Sequence, residues 1–357
     1  MPLEPADKEV VLVGSGRLAT MTDIAASSGA SSRDVALALA GDTSVSAELR
    51  QLVIDKIHAA SYRPLQAMQA EIGRPLRFAI VFKTHHGDTP TGNRFYSPIA
   101  ATIATACVQN GTEVVEATMV VDEQFHLLEI PSMLVDGSCD GAFLLGTQLD
   151  GREIERARDA TCPVILVDGY SEGDTFDSVV IDTVAGARTA VEYLIARGHS
   201  DIALIGTEPV SYPSVQDRRT GYTEALRARG LPTHYVDASY VTVEAVAVLG
   251  VDYIQRHPSV TAVFGATDLV TIAMLQIARD QGFRVPHDIS LVGFDDIDLA
   301  SLVMPALTTM AVDRAWMGRA AFALMAHRLD VPDGDQVTAL VVPRLIERES
   351  VVAPSTD

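Results

Sequence analysis

TAVFGATDLVTIAMLQIARDQGFRVPHDISLVGFDDIDLASLVMPALTTMAVD, residues 261–313, is the stretch that decides the fold. Residues 261–264 form a short apolar run ending at Gly265, which reads as a buried strand. Between 268 and 279 the apolar Ile272, Met274, Leu275 and Ile277 recur as on a helix, and Gly282 follows as a stop. Residues 289–294 read as a second buried strand, with Asp295, Asp296 and Asp298 at its carboxyl end. Ligands of open α/β sheets bind at that end, because the crossover loops leave a crevice there.

The same alternation extends outward in both directions. From residue 77 onward, strands are predicted over 78–82, 113–119, 141–145 and 163–167, with helices over 96–110 and 123–135. A second run starts near 179–182. It continues with a helix over 185–197, a strand over 202–205, a helix over 216–229, a strand over 234–236 and a helix over 243–255. Two consecutive α/β halves of this kind imply a pair of lobes, each built on a parallel sheet covered on both faces. An amphipathic helix over 315–329 is expected to return to the first lobe, and a strand over 339–343 with the tail 344–351 to the second. The expected fold class is therefore α/β.

Composition narrows the function classes. A chain of 357 residues is too long for one ordinary core. No apolar run approaches the ~18 residues needed to span a bilayer. Acids at Glu4, Asp7 and Glu9 do not read as a secretory signal, and three scattered cysteines (Cys107, Cys139, Cys162) fit a reduced, cytoplasmic setting. The net charge of −20 argues against a globally nucleic-acid-binding surface, so any DNA contact must come from a local module. No catalytic constellation, P-loop or metal-ligand spacing stands out, and Gly14-Ser15-Gly16 is not continued into a dinucleotide fingerprint. The expectation is a chain with no cofactor and no metal, and not an enzyme. His85 and His86 read as solvated loop residues.

Residues 20–64 read as three short helices. Thr20 or Thr22 caps the first, which Gly29 ends. Ser31, Ser32, Arg33 and Asp34 form a capping box for the second, with Val35 and Leu39 facing inward and Gly41 closing it. Ser46 starts the third, whose apolar Leu49, Leu52, Val53 and Ile57 recur at helical spacing. Helix, glycine-containing turn, helix is the pattern of a helix-turn-helix.

The runs DIAASSGASSRDVALALAG, DSVVIDTVAGARTAVEYLIARGH, DRRTGYTEAL, VPHDISLVGFDD, PALTT and ERES together closely resemble the lactose/galactose repressor family. The resemblance spans the headpiece and residues 77–350. It implies an N-terminal extension (1–19), a DNA-binding headpiece (20–64), a hinge (65–76) and a two-lobed, periplasmic-binding-protein-like effector domain (77–357). In that division the first lobe takes about 77–181 and 312–337, and the second about 182–311 and 338–350. It also implies DNA contacts from Ser31, Ser32, Arg33, Asp34 and Leu37, with Tyr62 and Arg63 where the family turns into its hinge. The headpiece departs from the family pattern at Asp34, Ala36, Leu37 and Ala40, where groove-facing polar residues are usual. Glu71, beside Ile72, stands where the family places an apolar wedge for a minor-groove step. Across residues 1–70, Lys8, Arg17, Arg33, Arg50, Lys56 and Arg63 face eight acids, a net of −2, so phosphate attraction is poor.

The family places an arginine that forks onto effector hydroxyls or carboxylates where Arg218 stands, and a hydroxyl-accepting aspartate at Asp295; a surface arginine, and a helix cap or solvated loop acid, are the plain alternatives. Asp168 ends the strand over 163–167 at the crevice edge. Phe95 and Tyr96 offer aromatic faces for a sugar or base, or core packing. Thr267 replaces the asparagine usual in the family, and Asp182 reads as a helix cap. The implied function is a ligand-responsive, dimeric transcriptional repressor. Its partners would be a pseudo-palindromic double-stranded operator and a small polar effector, a carbohydrate by family precedent. Ile272 and the apolar 302–304 run, with Val303 at its centre, are expected at the dimer interface. An alternative reading keeps the sensor but has it act through a protein partner, because the headpiece is poor in DNA-binding groups.

Overall fold

The structure, a computed structural model, describes residues 12–14, 17–19, 21–31, 34–35, 38, 45–85, 94–121, 127–149, 151, 157–171, 173, 176–207, 212–236 and 242–354. At the amino terminus, β1 (Leu12–Gly14) and β2 (Arg17–Ala19) pair antiparallel ahead of α1 (Met21–Ser28). The capping box forms as the residue pattern dictates. Ser31 Oγ accepts from the Asp34 amide at 3.1 Å, and the Asp34 carboxylate accepts from the Ser31 amide and hydroxyl at 3.1 and 2.6 Å. Ile24, Ala25, Val35, Ala38, Val45 and Val53 make a small separate core.

Ser46 caps α2 (Ala47–Ile72) by accepting from the Leu49 amide at 3.1 Å. This helix runs through most of the segment expected to be a hinge at 65–76, despite the backbone donor that Pro64 lacks. The reason is burial. Leu65 is fully buried in the main core with Met68 packed beside it, and Gln69 Nε2 donates to the Asn110 carbonyl at 3.2 Å. Gly73, at φ 69°, ends the helix with its amide on the Gln69 carbonyl.

The first lobe contains β3 (Arg77–His85), α3 (Tyr96–Gln109), β4 (Glu113–Val121), β5 (Leu127–Glu129), β6 (Gly141–Leu145), the short β7 (Gln148–Leu149), β8 (Val164–Val167), β9 (Tyr170–Ser171) and β10 (Asp177–Ile181). Phe78 and Ile80, Phe143 and Leu145, and Ile165 and Val167 enter the main core from one face of the sheet. The alternating Ala79 and Val81, Ala142 and Leu144, and Val164 and Leu166 enter a second core on the other face. Each large side chain so buried contributes about 1.5–3 kcal/mol, which is why the strands are apolar throughout rather than alternating.

The second lobe follows as α4 (Thr183–Ala196), β11 (Ile202–Ile205), α5 (Pro213–Arg227), β12 (His234–Val236), α6 (Val243–Arg256), β13 (Ala262–Gly265), α7 (Asp268–Asp280), β14 (Ser290–Asp295), α8 (Asp298–Leu302) and β15 (Thr308–Ala311). α9 (Arg314–Asp330) then packs on α3 and α2, β16 (Thr338–Val341) follows, and β17 (Arg344–Ile346) closes the order. The sheets run β16-β10-β8-β6-β3-β4-β5 and β12-β11-β13-β14-β15-β17, parallel except at β4/β5 and β15/β17. Gly221 lets α5 lie against α4, since a Cβ there would sit 2.2 Å from the Val184 carbonyl.

Three expectations are corrected by this architecture. In place of a helix over 123–135, the described part of that segment holds β5 and a 3-10 turn over Ser132–Leu134. Pro131 disfavours helix before it, and β5 adds an edge to β4. The strand expected to return to the second lobe pairs in parallel with β10, Val179 opposite Ala339, so 338–341 complete the first sheet and cover what would be a bare edge. Ile272 is buried in the core of the second lobe, 6% exposed, rather than displayed at a subunit interface, and Val303 packs partly against the same core. The exposed members of that loop are Leu302 and Met304.

Candidate functional site

The carboxyl ends of the two sheets face each other, and the chain is tightly constrained there. β8 ends in Val167, and Asp168 turns the backbone at φ 46°. β14 ends in Asp295 at φ 111°, followed by Asp296 at φ 52°. Positive φ on a residue with a side chain costs about 1–3 kcal/mol, so surrounding contacts must hold it. Arg348 supplies one, donating to Asp296 Oδ1 at 2.7 Å, and Arg314 another, donating to the Asp296 carbonyl at 2.8 Å.

Arg218 lies on the buried face of α5, 4% exposed. Its guanidinium donates through Nη2 to Asp295 Oδ1 at 3.1 Å and through Nη1 to the Ala266 carbonyl, and it stacks 4.0 Å from the centre of the Phe294 ring. Across from it, the Tyr96 phenol donates to Asp168 Oδ2 at 2.7 Å. Gly146 makes room for that ring, since a Cβ at this position would lie 2.5 Å from it. Phe95 packs edge-on against Tyr96, at 5.1 Å between centres. From the second lobe, Tyr212 donates to the Asp168 carbonyl at 2.5 Å and stands edge-on to Tyr170. The Lys83 ammonium lies 4.4 Å over the Tyr212 ring.

Burial sets the electrostatics. Desolvation raises Asp168 to about 6, against the opposing pull of the Tyr96 hydrogen bond and of Arg218 and Lys83. Asp295 is likewise raised to about 6 by burial, against Arg218. Burial lowers Lys83 to about 8, with Asp168 opposing. Two carboxylates thus share one low-dielectric site with a guanidinium and an ammonium. Asp168 Oδ1 and Arg218 Nε are both buried and have no hydrogen-bond partner among the described residues. One acceptor and one donor of the site are left over.

Of the expected effector residues, Arg218, Asp295, Asp168, Tyr96 and Phe95 gather here. Thr267 adjoins the Ala266 carbonyl that Arg218 engages, but its hydroxyl caps α7 by accepting from the Val270 amide at 3.4 Å. Asp182 caps α4 through the Ala185 amide. Lys83, Tyr170, Tyr212 and Phe294 were not singled out from the sequence. Lys83 and Phe294 lie near the carboxyl ends of their strands, positions that could have flagged them, whereas Tyr212 carries no such local signal. Of the expected DNA contacts, Ser31 and Asp34 are engaged with each other. Ser32, Arg33 and Leu37 lie outside the described residues. Tyr62 and Arg63 lie in α2, where only the backbone is described. Among the described residues, no helix is long and apolar enough to cross a membrane.

Comparison with known proteins agrees with this architecture. Residues 191–351 match the periplasmic binding protein-like domain family. The ribose operon repressor of Haemophilus influenzae is 28% identical over 338 residues, covering 94% of this chain and 99% of the relative. The HTH-type transcriptional repressor CytR of Escherichia coli K12 is 30% identical over 344 residues, 95% and 96% of the two chains. A transcriptional regulator CelR-cellobiose complex superimposes with a TM-score of 0.65 at 26% identity, covering 93% and 99%. The lac repressor dimer bound to operator shares the fold at TM-score 0.63 and 21% identity, covering 94% and 99%. Matched over nearly its whole length, the chain belongs to the lactose/galactose repressor family of ligand-responsive, DNA-binding transcriptional regulators.

Proposed function

We propose that this regulator is a cytoplasmic, non-enzymatic repressor whose effector is a small neutral sugar held by Asp168, Asp295, Arg218, Tyr96 and Phe95. The observation that carries this reading is the leftover pair of buried polar atoms, Asp168 Oδ1 and Arg218 Nε. Sugar hydroxyls can both donate to the first and accept from the second, as a hydrocarbon cannot. Charge argues for a neutral ligand. Asp295 is already paired with Arg218, and Asp168 lies near Lys83 and Arg218, so an ionic ligand would bring an uncompensated charge into a dry site. The relatives that carry ribose and cellobiose in their names point to the same class of molecule.

The headpiece is read as residues 20–64 and the sensor as 77–357, with two copies joined through a surface that includes the exposed Leu302 and Met304. A second reading, a sensor that acts through a protein partner, is favoured by one observation: Asp34 fills the capping role at the end of the reading helix and places a carboxylate where phosphates would approach. The test of the main reading is mass spectrometry of small molecules released from the purified protein, followed by calorimetric titration with D-ribose and cellobiose. A pentose or hexose bound at one site per chain supports it. Failure of every neutral sugar alongside tight binding of an organic anion overturns it.

A further inference from the structure

We propose that Cys139 and Cys162 form a reversible dithiol–disulfide pair, oxidised by hydroperoxides, that reports on the tether between the headpiece helix and the sensor. The two sulfurs lie 3.5 Å apart in the first lobe, and all three cysteines of the chain are free thiols. Their approach is built into the sheet. Cys139 leads into β6 and Cys162 into β8, which pair in parallel with Ala142 opposite Val164. Neighbouring strands run about 4.7–4.9 Å apart. Disulfides need Cα separations of about 4.4–6.8 Å, and two segments that enter neighbouring strands with their sulfurs already in contact are placed to approach that geometry.

The two thiols differ in access and in charge. Cys139 is 4% exposed and its thiol donates to the Met133 carbonyl, Sγ 3.0 Å from the oxygen. Cys162 lines a surface cavity of about 260 Å³ together with Ala157, Arg158, Pro163, Val164 and Phe176. An oxidant therefore meets Cys162 first. Cys139 is the easier of the two to ionise, because the Cys162 thiol donates to it, although Asp136 and Asp140 oppose the charge. The more accessible Cys162, whose thiol is held up by its hydrogen bond to Cys139 and by burial, is the sulfur that peroxide reaches, slowly as a neutral thiol, and the more readily ionised Cys139 is the nucleophile that resolves the sulfenic acid. The Cys162 sulfur takes the terminal hydroxyl of a hydroperoxide as the O–O bond breaks, and the thiol proton leaves with the departing alcohol or water. Cys139 sulfur then attacks the sulfenic sulfur; the S–S bond forms, the S–O bond breaks, and hydroxide leaves with the Cys139 proton as water. Two electrons pass from the thiols to the hydroperoxide. Thiol-based reductants reverse the change by exchange.

The consequence lies one residue away. Asp140, next to Cys139, grips Arg74 with two hydrogen bonds of 2.7 and 2.8 Å and accepts from the Arg77 amide at 2.8 Å. Arg74 directly follows Gly73, which ends α2, so this carboxylate fastens the chain where it passes from headpiece to sensor. Drawing the two sulfurs from contact to bonding distance moves Cys139, and with it the residue that holds the tether.

The test uses the full-length protein, reduced and then exposed to hydrogen peroxide. Intact mass is expected to fall by two hydrogens per chain. Peptide mapping should show a link between Cys139 and Cys162, reversed by dithiothreitol, with Cys107 alkylated only after unfolding. Cys139→Ser and Cys162→Ser, made separately so that one folded variant suffices, should each abolish the mass loss. Hydrogen exchange over residues 69–77 should differ between the oxidised and reduced wild type and not in peroxide-treated Cys162→Ser. Peroxide products confined to sulfinic acids, links only between chains, or no reaction would overturn the pair. A cross-link with unchanged exchange at 69–77 would overturn its connection to the tether.

Discussion

Tyr212 and Asp168 meet across the two lobes: the phenol of the first donates to the backbone carbonyl of the second at 2.5 Å. The carbonyl is available because Asp168 sits at φ 46°, and the ring is positioned by Tyr170 on one side and Lys83 on the other. This contact joins the end of β8 to the start of α5, the helix that carries Arg218. Any change in lobe closure must stretch or break it. Removing the hydroxyl in Tyr212→Phe deletes one hydrogen bond, worth about 0.5–1.5 kcal/mol net. Effector Kd is expected to rise about two- to tenfold by calorimetry, with a more open average shape by small-angle scattering. An unchanged Kd and unchanged scattering would detach this contact from closure.

Arg218→Ala is expected to abolish effector binding while leaving the fold intact. Charge-assisted hydrogen bonds to a ligand contribute about 1.5–3 kcal/mol each, a factor of roughly ten to more than a hundred in affinity. The variant also strands Asp295, 8% exposed, without its partner, so the melting temperature should fall. Because Asp295 can take up a proton, that fall should be smaller at pH 5 than at pH 8. Full effector affinity in a folded Arg218→Ala protein would remove Arg218 from the site.

Effector binding should depend on pH with a defined sign. Asp168 and Asp295 are raised to about 6 by burial. Hydroxyls that donate to them favour the ionised form, so binding lowers both values and releases protons. Affinity is therefore fullest above pH 6 and declines below it, by up to about tenfold per pH unit for each proton that must be released. Titration calorimetry between pH 5 and 8, in buffers of different ionisation enthalpy, reads both the affinity and the proton count. Flat affinity with no proton release would mean that neither carboxylate receives a ligand hydroxyl.

The strands and helices of the two lobes were legible because their periodicity is strong and both sheet faces are buried. The strands over 141–145, 202–205 and 234–236 fall at the bounds read from the sequence. Where the chain is less periodic, long-range pairing decides. Nothing local in residues 338–341 says that β10 lacks a neighbour, so the sequence alone does not assign β16 to the first sheet. At the site, Arg218 and Asp295 carry visible chemistry at positions where α/β sheets bind ligands. Tyr212 does not announce itself, since its contact with Asp168 spans 44 residues and exists only once the lobes face each other. Ile272 misled because an apolar residue on an amphipathic helix reads alike whether it faces a core or a partner.

Asp268 makes folding stability depend on pH. It is fully buried, accepts from the Thr309 hydroxyl at 2.6 Å and from the Ile297 amide at 2.9 Å, and is raised by burial to about 8. A carboxyl whose folded value lies above its unfolded value holds its proton more tightly when folded. Its contribution is complete below about pH 4 and is lost as pH rises toward 8. The wild-type melting temperature is expected to fall between about pH 4 and 8, and Asp268→Asn, which cannot ionise, to flatten that decline. Parallel slopes for the two proteins would assign the decline to other groups.

The headpiece presents the sharpest conflict between stability and function. Asp34 satisfies the amide end of its helix and also receives the Ser31 hydroxyl at 2.6 Å, a capping arrangement worth about 0.5–2 kcal/mol. Fold stability alone thus accounts for an acid at this position. The same helix end is where a helix-turn-helix approaches phosphates and base edges, and a carboxylate there repels phosphate and accepts only from groups such as cytosine N4. With residues 1–70 carrying a net charge of −2, few phosphates are neutralised, so the wild-type salt slope should be shallow. Asp34→Thr keeps a capping oxygen at nearby geometry while removing the charge. It is expected to tighten binding to non-specific duplex DNA several-fold at low salt, with little loss of thermal stability. Fluorescence anisotropy across a salt series decides the matter for both proteins. Tight wild-type binding with a steep slope contradicts the electrostatic argument. No change on substitution places this helix outside the groove and turns attention to a protein partner.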